Sequence, residues 1–405
     1  MDLHSGMPYW VVLNPLYNFF NPLKKNIKTE VVVIGSGITG ALVSHQLSDA
    51  GIKCKVVDKR TIGTGSSIAS TSQLQYEIDV PLTKLAKDIG KQNAFKAYKY
   101  CLQSITDLEK TFHKIKKDPD FERIPTFFLA SNKSGLDLLQ KEFEIRKEAN
   151  LPVEFLTKEQ VAKKLKIDAP GALYNNTSAQ LDCYKGTTYL LDYNMKNSGL
   201  DVYTHTLIKE YKETTTGYEL ITDMGFTIKC NQVVIAAGFE AGEFLPKKVM
   251  DLLSTFAIIS QPLDKKHIWK DKALIWETKE PYLYMRTTTD NRIIVGGEDE
   301  EYYDPDKRDD QLRDKTKMLE KKFKKMFPQI PFVKEMSWAG TFSATPDGLP
   351  FIGPWPGKPK MHYALGYGGN GITFSMIAAQ VITNLILEQE DERATLFGFN
   401  RLDHA

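Results

Sequence analysis

The chain has 405 residues, is 42% hydrophobic and 26% charged, and sets 53 Lys and Arg against 51 Asp and Glu for a formal net charge of +2. That length exceeds one ordinary core and points to two domains, while the near-neutral balance offers no electrostatic footprint for nucleic acid or an anionic membrane. The 4 cysteines, Cys54, Cys101, Cys183 and Cys230, make no CxxC pair and no Cys/His cluster, so they support no zinc site, Rieske centre or redox dithiol, and they fit a reducing cytoplasm.

Residues 1–27 are rich in aromatics but are broken by Pro8, Asn14, Pro15 and Pro22. Lacking a basic start and an uninterrupted apolar run, they read as an irregular arm on the surface, neither a signal peptide nor a transmembrane segment. Residues 31–58 then form one complete dinucleotide-binding βαβ unit. Val31, Val32, Val33 and Ile34 make a buried strand that runs into Gly35, Gly37 and Gly40. Gly35 permits the tight turn, Gly37 lets the backbone approach a pyrophosphate, and Gly40 allows the helix to pack closely on the strand. Free N–H groups at the helix start point at the anion. Asp58 closes the next strand, residues 52–57, where a carboxylate accepts both ribose hydroxyls. Strand, turn, helix, Gly51 and terminal acid occur in order, yet the unit alone does not separate NAD from FAD.

A Gly/Ser/Thr stretch at 61–73 is too polar for core. Helical periodicity covers 82–117, a strand 126–130 and a charged amphipathic helix 134–150. The short helix 156–165 has Thr157 and Gln160 placed as a capping box. Residues 171–181 read as strand with a turn at Asn175 and Asn176, and 184–197 as helix. Strands follow at 202–212, 218–222, 227–229 and 232–238, and 254–300 is mostly strand with a hairpin around Asp290 and Asn291. A charged helix at 308–326 precedes a tail that holds a glycine cluster and one long apolar helix, 371–387. Lysine runs at 114–117 and 321–325 read as solvated helix faces.

The tail decides the class. Ala364 and Leu365 end a strand, and Gly366, Gly368, Gly369 and Gly371 let the backbone approach something flat or anionic. The helix that begins near Ile372 directs free N–H groups and a partial positive charge at it. A flavin gains negative charge at its N1–O2 edge on reduction, which a helix start stabilises; NAD has no such need.

Together these segments resemble the D-amino-acid oxidase (DAO) family of FAD-dependent oxidoreductases and are similar to its glycine, sarcosine and γ-glutamylputrescine oxidases. GSGITG with Asp58, GTGSSIASTSQLQ, VVIAAG, RIIVGG, TPDGLPFIG and GYGGNGITFS follow the family's order over almost the whole chain after residue 28. The resemblance implies a mixed α/β fold, with a Rossmann-type FAD-binding domain (28–88, 183–245 and 337–395) interleaved with a mainly antiparallel-sheet substrate domain (89–182 and 246–336). It implies oxidation of a C–N bond in a small amine or amino acid by hydride transfer to flavin N5, with the imine then hydrolysed and oxygen or a carrier as electron acceptor. Carried over by residue, Gly35, Gly37 and Gly40 hold the pyrophosphate and Asp58 the ribose. Ser66, Ser67, Thr71 and Gln73 line the phosphates and ring, Ile208 meets adenine, and Ala237 and Gly238 pass the ribose. Gly340, Asp347, Gly369, Asn370, Gly371 and Ile372 surround the isoalloxazine.

Where covalent members carry a cysteine or histidine, this chain has Gly340 and Ile68 or Ala69, so the FAD is expected to be non-covalent. The family's substrate-carboxylate clamps are replaced by Phe342, Thr373 and Gln75, and the lysine that sarcosine oxidases use near N5 corresponds to Ile294. An ionised carboxylate buried without a cation is costly, so either the substrate has no α-carboxylate or another cation holds it. Arg286, which alternates with Tyr282 and Tyr284 on one strand face, is the candidate cation, and Glu298 is the candidate partner of a substrate ammonium. Tyr284, Arg286 and Glu298 are thus the candidate catalytic residues. The alternative readings are a non-catalytic flavin-binding protein and a tRNA-modifying enzyme of the same fold.

Overall fold

The computed structural model describes residues 2–14 and 20–403. Its first layer is built on strand Ile27–Ile34, whose residues Val31–Ile34 are buried on both faces, as a run of β-branched side chains requires in the middle of a parallel sheet. Strands Asp201–Tyr203, Cys54–Val57, Ile27–Ile34, Thr227–Ile235 and Met361–Leu365 lie side by side and parallel. Helix Ile38–Asp49 covers them and packs against helices Cys183–Ser198 and Gly371–Ile386. Gly40 makes that approach possible, because a Cβ there would stand 1.8 Å from the Gly35 carbonyl oxygen.

The second layer is a nine-stranded sheet. Its order is His4–Gly6, Lys334–Ala344, Asp251–Ser260, Ile293–Glu300, Leu283–Thr287, Leu274–Glu277, Thr126–Leu129, Gly171–Asn175 and Glu154–Thr157. Every neighbouring pair is antiparallel except Leu274–Glu277 beside Thr126–Leu129. Helix Pro305–Met326 packs Leu319 and Phe323 on one face of this sheet, beside Phe327 and Phe332. The other face looks towards the parallel sheet.

Several boundaries differ from the sequence reading. The run 82–117 is two helices, Leu82–Ile89 and Lys91–Ile115, broken where Gly90 takes φ +84°. Residues 202–212 split at a turn through His205, and 227–229 and 232–238 merge into the single strand Thr227–Ile235. Helix Lys91–Ile115 packs on Gly371–Ile386, on the nucleotide-binding side. The break at residue 337 falls inside strand Lys334–Ala344, which belongs to the antiparallel sheet.

The N-terminal arm is a correction as well. It adds strand His4–Gly6 to the sheet edge and buries Tyr9 and Trp10. An exposed sheet edge leaves backbone donors and acceptors unpaired, and the arm supplies their partners. Residues 15–19, including Pro15, lie outside the described residues.

Candidate active site

The two sheets enclose one cavity of about 390 Å³. At one end Gly35, with φ +111°, turns the chain into helix Ile38–Asp49, whose first N–H, that of Ile38, donates to Ser67 Oγ at 3.0 Å. Asp58 Oδ2 accepts from the Ser36 N–H and hydroxyl, both at 2.7 Å, and Oδ1 accepts from the Arg60 N–H at 2.8 Å. Beside it Glu240 accepts from Arg60 at 2.8 and 2.9 Å and pairs with Lys59 at 2.9 Å. Burial alone would raise the Glu240 carboxyl, but the two cations outweigh it and hold it near 2.

At the other end lies the start of helix Gly371–Ile386. No side chain caps it, because Asn370 turns away to donate to the Glu77 carbonyl at 2.7 Å and the Gln75 carbonyl at 3.3 Å. Segment 75–79 is held from behind by a buried charge network, with Arg146 paired to Glu77 at 3.1 Å and to Glu142 at 3.0 Å. Asp79 thereby meets the glycine cluster, its Oδ2 accepting from the Gly369 N–H at 2.6 Å.

The antiparallel sheet roofs this end. Phe128, Trp276 and Tyr284 stand in register across three adjacent strands, with the Phe128 and Trp276 rings stacked at 3.6 Å. Tyr284 leans across its neighbour strand to reach Thr255 Oγ1 at 3.2 Å. It does so only because the neighbour is Gly296, where a Cβ would lie 2.3 Å from the tyrosine ring.

Of the cofactor residues expected from sequence, all but Gly40 and Asp347 line this cavity. Gly40 does its work behind the strand. Asp347 is turned away and pairs with Arg401 at 2.7 Å, a residue beyond the last sequence motif. Of the candidate catalytic residues only Tyr284 reaches the cavity. Arg286 lies outside it, fully buried, with Nη1 donating to the carbonyls of Thr71, Ser72 and Leu181 at 3.0, 3.0 and 2.9 Å. Its strand face is the expected one, but the loop through Thr71 and Ser72 sits between the guanidinium and the cavity.

Glu298 also points away and pairs with Lys322 of helix Pro305–Met326. Strand alternation would place it with Gly296 on the cavity side. A bulge opposite Thr255, with φ +135° at Gly297 and +60° at Glu298, reverses the order and turns Asp299 inward instead. Sequence reading missed Asp79, Trp276, Glu280 and Asp299, all on the cavity wall.

The cavity fits a flavin dinucleotide. Gln73 Nε2 and Gln75 Oε1 are buried with no partner among the described residues, and each such orphan costs about 1–3 kcal/mol unless a ligand meets it. Gly371 lines the cavity, and among the described residues nothing beyond its own helix backbone and chain neighbours lies within 4 Å of where its Cβ would be, so the space is open. A Rossmann cradle joined to a second glycine–helix turn under an antiparallel roof defines a flavin-dependent oxidoreductase.

The family model described as FAD dependent oxidoreductase (DAO) matches residues 30–385, and the chain belongs to that family. FAD is its cofactor. The chain is 24% identical over 411 residues to the gamma-glutamylputrescine oxidoreductase of Escherichia coli, covering 98% of this chain and 92% of that one. Its fold is similar to that of L-proline dehydrogenase from P. horikoshii (TM-score 0.79, 21% identity, 94% of this chain and 99% of that one). It is also similar to glycine oxidase from Geobacillus kaustophilus (TM-score 0.75, 20% identity, 92% and 99%).

Proposed function

We propose that the protein oxidises the C–N bond of a small amine. The observation that carries this reading is a continuous cavity that joins the nucleotide cradle to the start of helix Gly371–Ile386 beneath an aromatic roof. FAD, when bound, supplies a ring that accepts a hydride. Gly35, Gly37 and Ser67 would hold its pyrophosphate, and Asp58 the ribose hydroxyls. The uncapped start of helix Gly371–Ile386 brings partial positive charge to the ring end, where negative charge develops. Tyr284, Trp276 and Phe128 exclude water and present ring faces and a hydroxyl to the amine. The substrate carbon gives up a hydride and its nitrogen a proton, leaving C=N, which water hydrolyses to a carbonyl compound and a released amine.

The names of the relatives support an amino compound as substrate: gamma-glutamylputrescine, glycine and L-proline. Four free, buried thiols support a cytoplasmic setting. Among the described residues no helix is long and apolar enough to cross a membrane. Mixing the holoenzyme anaerobically with primary and secondary amines tests the reading. Loss of the flavin absorbance with one amine class is the expected result; a flavin that no amine bleaches would overturn it in favour of a non-catalytic flavin protein.

A further inference from the structure

The wall of the cavity beyond the glycine cluster is acidic. Asp79, Glu280 and Asp299 line it, while the lining cations among the described residues, Lys59 and Arg60, sit at the nucleotide end beside Glu240. Glu277 is also there but is taken up by the fold, accepting from the Leu283 N–H at 3.2 Å and the Ser131 hydroxyl at 3.0 Å. The other three carboxylates have no cation bonded to them among the described residues. Asp79 accepts only from the Gly369 N–H, and Glu280 is exposed at the mouth. Asp299 is half-buried beside Thr255, and its Oδ1 has no hydrogen-bond partner among the described residues. The nearby Lys315 is paired with Glu300.

We propose that this end of the site takes an alkylamine with two or more cationic nitrogens, a diamine or polyamine, held by Asp79, Glu280 and Asp299 around Tyr282 and Tyr284, and that it rejects α-amino acids. The proposal rests on the reading of the protein as an amine oxidoreductase and names the substrate class of that same site.

Three carboxylates facing one space, with no cation bonded to them among the described residues, repel each other, and a ligand that brings positive charge relieves that cost. Partial desolvation by the surrounding cavity wall raises the carboxyls of Asp79, Glu280 and Asp299, and Asp79 adds to the rise of the other two. Among the described residues no three His, Cys, Asp or Glu side chains converge closely enough to hold a metal ion. The acids are spread along the wall, as charges spaced on a chain require and a point ion does not. Between them the Tyr282 and Tyr284 rings, 5.8 Å apart, offer π faces to an ammonium, and the Phe128–Trp276 stack offers an apolar track for methylenes. An α-carboxylate would meet Phe342 and Gln75 on the wall and carboxylates beyond them.

The test is anaerobic reduction of the holoenzyme's flavin by spermidine, 1,4-diaminobutane, 1-aminobutane, glycine and sarcosine. We expect the second-order rate constant of flavin reduction by the diamine or polyamine to exceed that by 1-aminobutane by about 10-fold or more, with no bleaching by either amino acid. Bleaching by glycine or sarcosine, or equal rates with mono- and diamine, overturns the proposal and leaves amine oxidation standing. If nothing bleaches, the oxidised holoenzyme is titrated with spermidine. A shift of the flavin spectrum that 1-aminobutane does not produce sustains the acidic site and overturns amine oxidation; no shift overturns both. In Asp79→Asn and Asp299→Asn the diamine-to-monoamine ratio should fall about 10-fold. Glu280→Gln gives the same readout should the other two variants lose flavin. An unchanged ratio in all three overturns the assignment.

Discussion

Arg286 is a cation whose surroundings decide its role. Desolvation pulls its guanidinium down to about 10, and the nearby Asp182, Glu122 and Asp120 oppose that pull. It sits over the Trp10 ring at 5.3 Å and holds three carbonyls from two separate segments, the loop at 71–72 and Leu181, two residues before helix Cys183–Ser198. Arg286→Met would leave the Thr71 and Leu181 carbonyls without that donor, each costing about 1–3 kcal/mol, while Ser72 keeps the Leu181 N–H at 3.4 Å. The expected outcome is a lowered Tm and weaker flavin retention on gel filtration, partly restored in Arg286→Lys. A variant with full flavin and unchanged Tm, raised only in KM, would return Arg286 to the substrate site that its sequence position suggested. The sequence showed which strand face Arg286 occupies, because alternation is local. It did not show that a loop two hundred residues earlier in the chain would intervene. Asp79 and Asp299 were invisible for the same reason. Neither belongs to a spaced motif, and Asp299 reaches the wall through a bulge that strand alternation misreads.

At the scale of elements, glycine motifs were legible because each glycine answers a local steric demand, and the structure separates two kinds of demand. At Gly40 the obstacle is protein, a carbonyl oxygen 1.8 Å from the missing Cβ; at Gly371 nothing among the described residues beyond its own helix backbone and chain neighbours lies within 4 Å. Gly40→Ala should therefore force helix Ile38–Asp49 off its strand and destabilise the apoprotein. Gly371→Ala should leave apoprotein Tm unchanged or slightly raised, since alanine favours helix, while weakening FAD by about 10-fold, a loss of about 1.4 kcal/mol. Thermal melts of both apoproteins and a flavin titration of the second check this; equal flavin affinity in Gly371→Ala would show that the helix start is not packed against the ring. The N-terminal arm was the least legible element. Its strand His4–Gly6 exists only through pairing with Trp338–Gly340, and Trp10 is fixed by donating to the Ser70 carbonyl at 2.7 Å. Interrupted by prolines and lacking any periodicity of its own, it takes its structure from the sheet edge it covers.

Across the whole molecule, the cavity joins two ends with opposite pH demands. Glu240, held near 2 by Arg60 and Lys59 against its burial, contributes stability that is present above its ordinary value of 4.5 and is lost as pH falls through the folded value. Asp299 behaves the other way. Burial, then Asp79 and Glu280, push its carboxyl up to about 7 from 3.8, with Thr255 and Lys315 opposing. Across that window the folded chain binds the proton more tightly than the unfolded chain, so stability falls as pH rises from 3.8 to about 7 and levels off above. Tyr282 and Tyr284 face the same carboxylate and stay neutral throughout, their hydroxyls raised by burial and by the acids around them. Asp299→Asn removes this dependence. Its Tm should exceed that of the wild type by a margin that widens over the same interval and then stays constant, while diamine selectivity is lost. A margin independent of pH would mean that Asp299 does not titrate in this range. Saturating spermidine should shrink the margin at neutral pH, because a bound cation repays the carboxylate that the fold alone leaves uncompensated.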